Sequence, residues 1–340
     1  MQRLWIDTDD NRPATRDLAA DFQTPENIPI AKQVKGSPSQ GYNENASLYF
    51  VGTATTVIEW GGIRIMTDPN FLHAGDHVHL GPGVSSQRQT DPAVDLHDLP
   101  HIDLVLLSHY HDRDHFDQKV ESSLRRDLPI ITTPHAHSHL TDKGSDSFTN
   151  VFAVDTFESI MVDIGVHTMS GRGQLRISGM PGKHVPTNPV VESLNSIFHA
   201  VPPTNGWMLE LGRNRPANHD FVCGYRIYIT GDTLMVDDLK KIPELYRNER
   251  IDLMLAHLGG TTIPSPTLAP LALMVTMDAK QGVELIRLIQ PDLTVPIHYD
   301  DYDVFASSLQ DFKMEVEKAG LQEKVVYLDR GDKLLFAVAD

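Results

Sequence analysis

Three histidines and three aspartates fall within the eleven residues LSHYHDRDHFD, from Leu107 to Asp117, directly after the apolar run Ile102–Leu107. A buried strand that ends in clustered imidazoles and carboxylates is costly, because unpaired charges and unsatisfied ring nitrogens lose their water. Coordination of a cation is the usual compensation. His109 and His111 stand two apart, so in extended or turning backbone they point to one side together; Asp114 and His115 follow as an adjacent carboxylate–imidazole pair. These are donors enough for two metal ions, half of a dinuclear centre whose other half must lie downstream. Two metals roughly 3.5–4 Å apart, bridged by a carboxylate, suit hydrolysis, since a bridging water becomes hydroxide near neutral pH. Imidazole-rich ligation suits zinc, and mixed carboxylate ligation leaves manganese and iron open.

The elements that must position these groups are short strands. Tyr49 to Phe71 reads as two strands turning at Gly61-Gly62 and stopping at Thr67-Asp68-Pro69. Further strands are expected at Ile102–Leu107, Leu128–Thr132, within Ser159–Ser178, and at Trp207–Leu211, Tyr225–Ile229, Ile251–Leu255, Leu293–Ile297, Val325–Leu328 and Leu334–Val338. Helical spacing marks Phe116–Arg126, Asp237–Arg247, Asp278–Ile289 and the Phe305, Leu309, Phe312, Val316 series. Polar outliers sit at the ends of the apolar runs: Asp68, His109, His111, Asp114, His115, Asp232, His257 and His298, with His184 in a turn after a strand. If those ends gather at one edge of layered sheets, the groups surround one cavity. The stretches 72–98 and 182–204 lack any period and are long for passive connections, so they are expected to cover that cavity.

Length and charge bound the rest. With 340 residues the chain can bury a large core, and nothing in it marks an internal linker, so residues 46–340 are expected to form one domain after an N-terminal arm or cap over 1–45. The 46 acidic residues against 29 basic ones leave a formal charge of −17, which disfavours nucleic acid and anionic lipid as partners. A single cysteine excludes a disulfide framework. The first residues lack a signal-peptide core and no run reaches a membrane span, so a cytoplasmic protein without an integral membrane segment is expected.

The order of a strand-ending Thr-Asp-Pro, the His-x-His…Asp-His stretch, then His184, Gly231-Asp232 and His298 resembles the metallo-β-lactamase superfamily, over about Tyr49 to the carboxyl terminus. The details VGTATTVIEWGGIRIMTDP, GKHVP, YITGDT and VPIHYD look most like its branch that holds L-ascorbate-6-phosphate lactonase and N-acyl-phosphatidylethanolamine phospholipase D. The resemblance implies an α/β (α+β) fold, the four-layer αββα sandwich, with the site at the sheet edge. It implies two divalent metal ions, Zn2+ before Mn2+ or Fe2+. One would rest on His109, His111 and His184, the other on Asp114, His115 and His298, with Asp232 bridging. Asp68 would then orient an imidazole from behind. One departure stands out: the family has His-x-His-x-Asp-His, and this chain has His-x-His-x-x-Asp-His, with Asp112-Arg113 in place of one spacer. A bulge that leaves Asp114 in place is expected; the other outcome is a shifted register with Asp112 as the ligand.

The function expected is that of a metal-dependent hydrolase that opens a small ester, lactone or lactam with a metal-bridging hydroxide; Asp114, which orients that hydroxide, and Asp232, which bridges the metals, are the expected catalytic residues. A phosphodiesterase or phospholipase D-like hydrolase is the alternative, and a catalytically impaired metal-binding protein a further one. The partner is a small-molecule substrate; a homo-oligomer is left open. His257, Tyr110 and Tyr299 are candidates for contacts to substrate or to a ligand. His257 is expected first as a buried, hydrogen-bonded histidine, and the two tyrosines first as packing residues. His135, His137 and His139 are expected at a solvated helix start.

Overall fold

In the strand Ala46–Gly52, Ala46, Leu48 and Phe50 face one apolar core while Tyr49 and Val51 face another. Leu104 and Leu106 divide from Val105 in the same way, as do Leu253 and Leu255 from Met254. A strand alternates its side chains between the two faces of a sheet, so an unbroken apolar run means a sheet covered on both faces. Those runs generate the layering. The computed structural model describes residues 1–16, 23–36, 44–81, 84–110, 115–166, 169–184, 202–215, 220–263 and 273–339.

Among the described residues, two large sheets face each other. The seven-stranded sheet runs in the order Gln2–Asp7, Ser159–Val166, Met169–Pro181, Asn205–Asn214, Phe221–Ile229, Leu253–His257, Leu293–Ile297. The eight-stranded sheet runs Val151–Ala153, Ile130–Thr132, Leu104–Leu106, Ile63–Thr67, Thr55–Trp60, Ala46–Gly52, Lys333–Phe336, Val34–Gly36. The core between them includes Trp60, Ile65, Ile177, Trp207, Ile227 and Phe336. Helices Gln118–Ser123 and Pro134–Thr141 cover the outer face of the eight-stranded sheet. Helices Lys241–Leu245, Ala279–Ile289 and Leu309–Ala319 cover the other. The result is helix, sheet, sheet, helix. No helix among the described residues is long and apolar enough to cross a membrane.

Several sequence expectations change. Within residues 1–45, Gln2–Asp7 pairs in parallel with Ser159–Val166, burying Leu4 and Ile6, and Val34–Gly36 pairs with Lys333–Phe336. Tyr49 to Phe71 holds parts of three strands, because the chain also turns at Thr53-Ala54. The Gly61-Gly62 turn is as expected, with φ of 64° and 88°. Val325–Leu328 forms no ladder; Val325 makes an isolated bridge to Thr294 while Leu328 sinks into the inter-sheet core. Helix Leu309–Ala319 starts after Phe305, since Ser308 and Asp311 close a capping box there. The loop 72–98 carries a hairpin, His77–Gly81 with Val84–Gln87.

Candidate metal centre

Strands Ile63–Thr67 and Leu104–Leu106 lie parallel, and so do Phe221–Ile229, Leu253–His257 and Leu293–Ile297, so each group ends at one edge of its sheet. Asp68 and His109 follow the first two; Asp232, His257 and His298 end or follow the other three. Met169–Pro181 reaches the same edge, since two antiparallel pairings separate it from Phe221–Ile229, and His184 comes three residues after it. His115 lies between Leu104–Leu106 and the helix at Gln118, and is fully buried. Both sheets thus send imidazoles and carboxylates to a common space.

The geometry there is tight. His115 Nε2 lies 3.0 Å from Asp232 Oδ2, and His298 Nε2 lies 3.4 Å from the same oxygen. On its other side His115 Nδ1 lies 3.6 Å from Asp68 Oδ2, which His257 Nε2 approaches to 3.8 Å. The His109 ring is 4.3 Å from that of His115 and 4.8 Å from that of His184, centroid to centroid. All are buried, none more than 7% exposed. His111 and Asp114, the other expected ligands, lie outside the described residues, as do Asp112 and Arg113.

Backbone and hydroxyl groups fix the rings from behind. His184 Nδ1 donates to the Val275 carbonyl and His298 Nδ1 to the Leu258 carbonyl, each at 2.9 Å. Since a carbonyl only accepts, each ring carries its proton on Nδ1, and Nε2 is the nitrogen turned to the centre. Ser108 Oγ stands 2.9 Å from His109 Nδ1, and Ser108 N–H donates to Asp68 Oδ1 at 2.7 Å. Thr276 donates to Asp232 Oδ2 at 3.3 Å. Gly231, before Asp232, has φ 60°, and a Cβ there would lie 2.3 Å from the Asn205 carbonyl oxygen, so only glycine lets the strand turn its carboxylate inward.

An outer frame that sequence reasoning missed holds the His298 loop. His298 itself has φ 60°, and its N–H donates to Thr53 O at 2.7 Å. Thr53, at φ 49°, donates its own N–H to Asp301 Oδ2 at 2.8 Å. Asp301 is fully buried beside Arg88, at 3.6 Å, and Arg330, at 3.1 Å, and Thr90 donates to it as well. Burial raises the Asp301 carboxyl pKa, but Arg88 and Arg330 outweigh it and hold the group below its usual range. The two tyrosines are engaged elsewhere. Tyr110 donates to Glu121 and accepts from Lys143, and Tyr299 donates to the Leu328 carbonyl from within the core. His135, His137 and His139 lie on the helix that Thr133 caps, as the sequence suggests.

Whether a cation fits can be tested on the hydrogen bonds. Asp68 Oδ2, both ring nitrogens of His115, Asp232 Oδ1, His257 Nε2 and His298 Nε2 are buried and make no hydrogen bond. Native proteins rarely leave one such atom, let alone a converging set. Their ligand atoms form two groups, Asp68–His115–His257 and His115–Asp232–His298, each within 4.8 Å. Two imidazoles and a carboxylate suit zinc and ferrous iron. The residues fit a metal.

Burial opposes charge on His115, yet Asp232 and then Asp68 overcome it and raise its pKa well above the ordinary value. Burial likewise opposes ionisation of Asp232, but His115, His298 and His184 lower its pKa well below that of a free carboxylate. His257, by contrast, is pushed well down, first by burial. In the metal-free protein the His115 contribution is present below the unfolded histidine value of about 6.5 and fades as pH rises through its folded value. The Asp232 contribution is present above about 3.9 and fades as pH falls. A cation must displace the His115 proton, so its affinity is expected to rise with pH by up to about tenfold per unit. Thermal melts with and without zinc at about pH 5.5 and about pH 8.5 check this; a zinc-induced shift no larger at the higher pH would contradict it.

The family described as the beta-lactamase superfamily domain matches residues 63–299. A metal-dependent hydrolase of Methanosarcina mazei is 24% identical over 234 residues, covering 68% of this chain and 80% of its own. Among solved structures, an isothiocyanate hydrolase from Delia radicum gut bacteria superposes with TM-score 0.65 at 17% identity, covering 86% of this chain and all of its own. Igni18, a metallo hydrolase from Ignicoccus hospitalis, gives TM-score 0.56 at 21% identity, over 86% of this chain and 98% of its own.

Proposed function

The chain belongs to the beta-lactamase superfamily, with its αββα fold and metal-dependent hydrolase chemistry, and from that premise we propose that it opens a small cyclic ester or amide, a lactone or lactam. The observation that carries the metal reading is the set of buried, unbonded nitrogens and oxygens of Asp68, His115, Asp232, His257 and His298. His109 and His184, together with His111, would hold one cation. His115 and His298, together with Asp114, would hold a second, and Asp232 lies where its carboxylate reaches both His115 and His298.

When bound, the cations supply a water nucleophile at neutral pH and polarise the scissile carbonyl. The chain's own residues do the rest. Val275 and Leu258 carbonyls hold His184 and His298 in the tautomer that presents Nε2. Asp68, fixed by the Ser108 amide, faces the far nitrogen of His115 and orients that ring. Asp232 stays ionised through the range in which a hydrolase works, since three histidines hold its pKa down against burial. The −17 formal charge is what ranks an uncharged lactone or lactam above a phosphodiester.

Hydrolysis by zinc-loaded protein on a panel of lactones and lactams, set beside a panel of phosphodiesters, tests the ranking. Turnover of at least one cyclic ester or amide is expected, and turnover of phosphodiesters alone would overturn it.

A further inference from the structure

His257 looks like a spare histidine until its protons are assigned. Its Nδ1 lies 3.2 Å from Thr230 Oγ1. That hydroxyl directs its single proton to the Gly231 carbonyl at 2.9 Å and accepts the His257 backbone N–H at 2.9 Å. Nδ1 of His257 is therefore the nitrogen that meets Thr230, and Nε2 is the one turned to the centre. That nitrogen faces Asp68 Oδ2 at 3.8 Å, and Asp68 Oδ1 is already taken by the Ser108 amide. His115 Nδ1 is a third corner, 3.6 Å from the same oxygen. All three atoms are buried without a hydrogen bond, and they lie within 4.8 Å of one another.

We propose that Asp68, His257 and the Nδ1 face of His115 form a divalent-cation position of their own, back to back with the one at Asp232 and His298. The inference rests on the metal reading above but goes beyond it, since there neither cation is assigned to His257 and Asp68 only orients a ring. The separations of 3.6 and 3.8 Å sit just above the ~3.4 Å between donors around a tetrahedral ion with bonds of about 2.1 Å. Two imidazoles and one carboxylate make a donor set for Zn2+ or Fe2+. His115 couples the two positions. A neutral imidazole has one lone pair, so when Nδ1 binds a cation, Nε2–H faces Asp232 Oδ2 at 3.0 Å. Filling both positions at once turns the ring into a bridging imidazolate and releases its remaining proton to solvent.

The test uses the full chain, stripped with a chelator, reloaded with zinc and desalted, with bound metal counted by mass spectrometry. His257→Gln, which keeps a polar side chain beside Thr230, is expected to retain about one equivalent less than the unmodified protein. Equal retention would overturn the proposal. Anomalous scattering at the zinc edge from crystals of the unmodified protein gives a readout independent of any variant's folding. A peak within bonding distance of His257 Nε2 supports the site, and peaks confined to the Asp232 side refute it. Asp232→Asn separates the two levels. If it loses zinc while His257→Gln does not, only the present inference falls; if neither loses zinc, the metal reading falls with it.

Discussion

Asp232→Asn is expected to leave a folded protein that retains less metal than the unmodified protein and does not hydrolyse substrate. The carboxylate is buried, and one oxygen lies 3.0 Å from His115 Nε2 and 3.4 Å from His298 Nε2. Asparagine matches its shape but removes the charge that gathers the cation, and it turns either an amide N–H or a weaker acceptor toward those nitrogens. Loss of a group that merely supports a ligand costs about 10- to 100-fold in affinity or activity. Loss of the carboxylate proposed to be shared by both cations is expected to exceed that. Metal content after desalting, with turnover measured in parallel, checks the result, and a circular dichroism spectrum like that of the unmodified protein controls for folding. Unchanged metal content would remove Asp232 from the centre.

The second large effect is on stability and lies outside the ring of ligands. Asp301→Ala is expected to cost about 3–5 kcal/mol, the usual consequence of removing one partner from a buried ion pair and leaving the other charge behind. Arg88 is fully buried, and its remaining bonds, to Thr53 Oγ1 and the Thr90 carbonyl, do not neutralise it. Arg330 loses its carboxylate at the same time. The change also releases the Thr53 N–H and loosens the Thr53–His298 link, so metal affinity is expected to fall along with the urea midpoint. Because Arg88 and Arg330 depress the Asp301 pKa against the effect of burial, its stabilisation is present above the unfolded aspartate value and is lost as pH falls. Urea titrations at neutral and mildly acid pH read both features; a midpoint within error of the unmodified protein would show that Arg88 finds another counter-charge.

The sequence made the layered fold legible because its apolar runs are long enough for strands buried on both faces, as at Ile63–Thr67 and Leu293–Ile297. The polar residues that end those runs were legible for the same reason, and Asp68, His109, His115, His184, Asp232 and His298 do converge. Gln2–Asp7 was not, since only Leu4 and Ile6 are buried and Trp5 between them is partly exposed, too short a pattern to mark a strand. Arg88 and Asp301 were missed because no local spacing links residues so far apart; their pairing exists only once the loop 72–98 has folded against the His298 turn. His257, expected as a buried, hydrogen-bonded histidine at a strand end, is buried there and bonded to Thr230; the cation position proposed for it is a separate reading. The proton assignment through Thr230 on which that reading rests depends on distances, not on residue order.

The crossing of the two ends of the fold has a consequence for biosynthesis. Ala46–Gly52 bonds to Thr55–Trp60 on one side and to Lys333–Phe336 on the other. A ribosome adding about 5–20 residues per second delivers that second neighbour roughly 15–60 s after the first. Through that interval an apolar strand with a bare row of amides and carbonyls waits in the nascent chain, a template for pairing with another copy. Soluble yield is therefore governed by how well that edge is shielded during translation, and slowing elongation downstream of residue 60 lengthens the exposure.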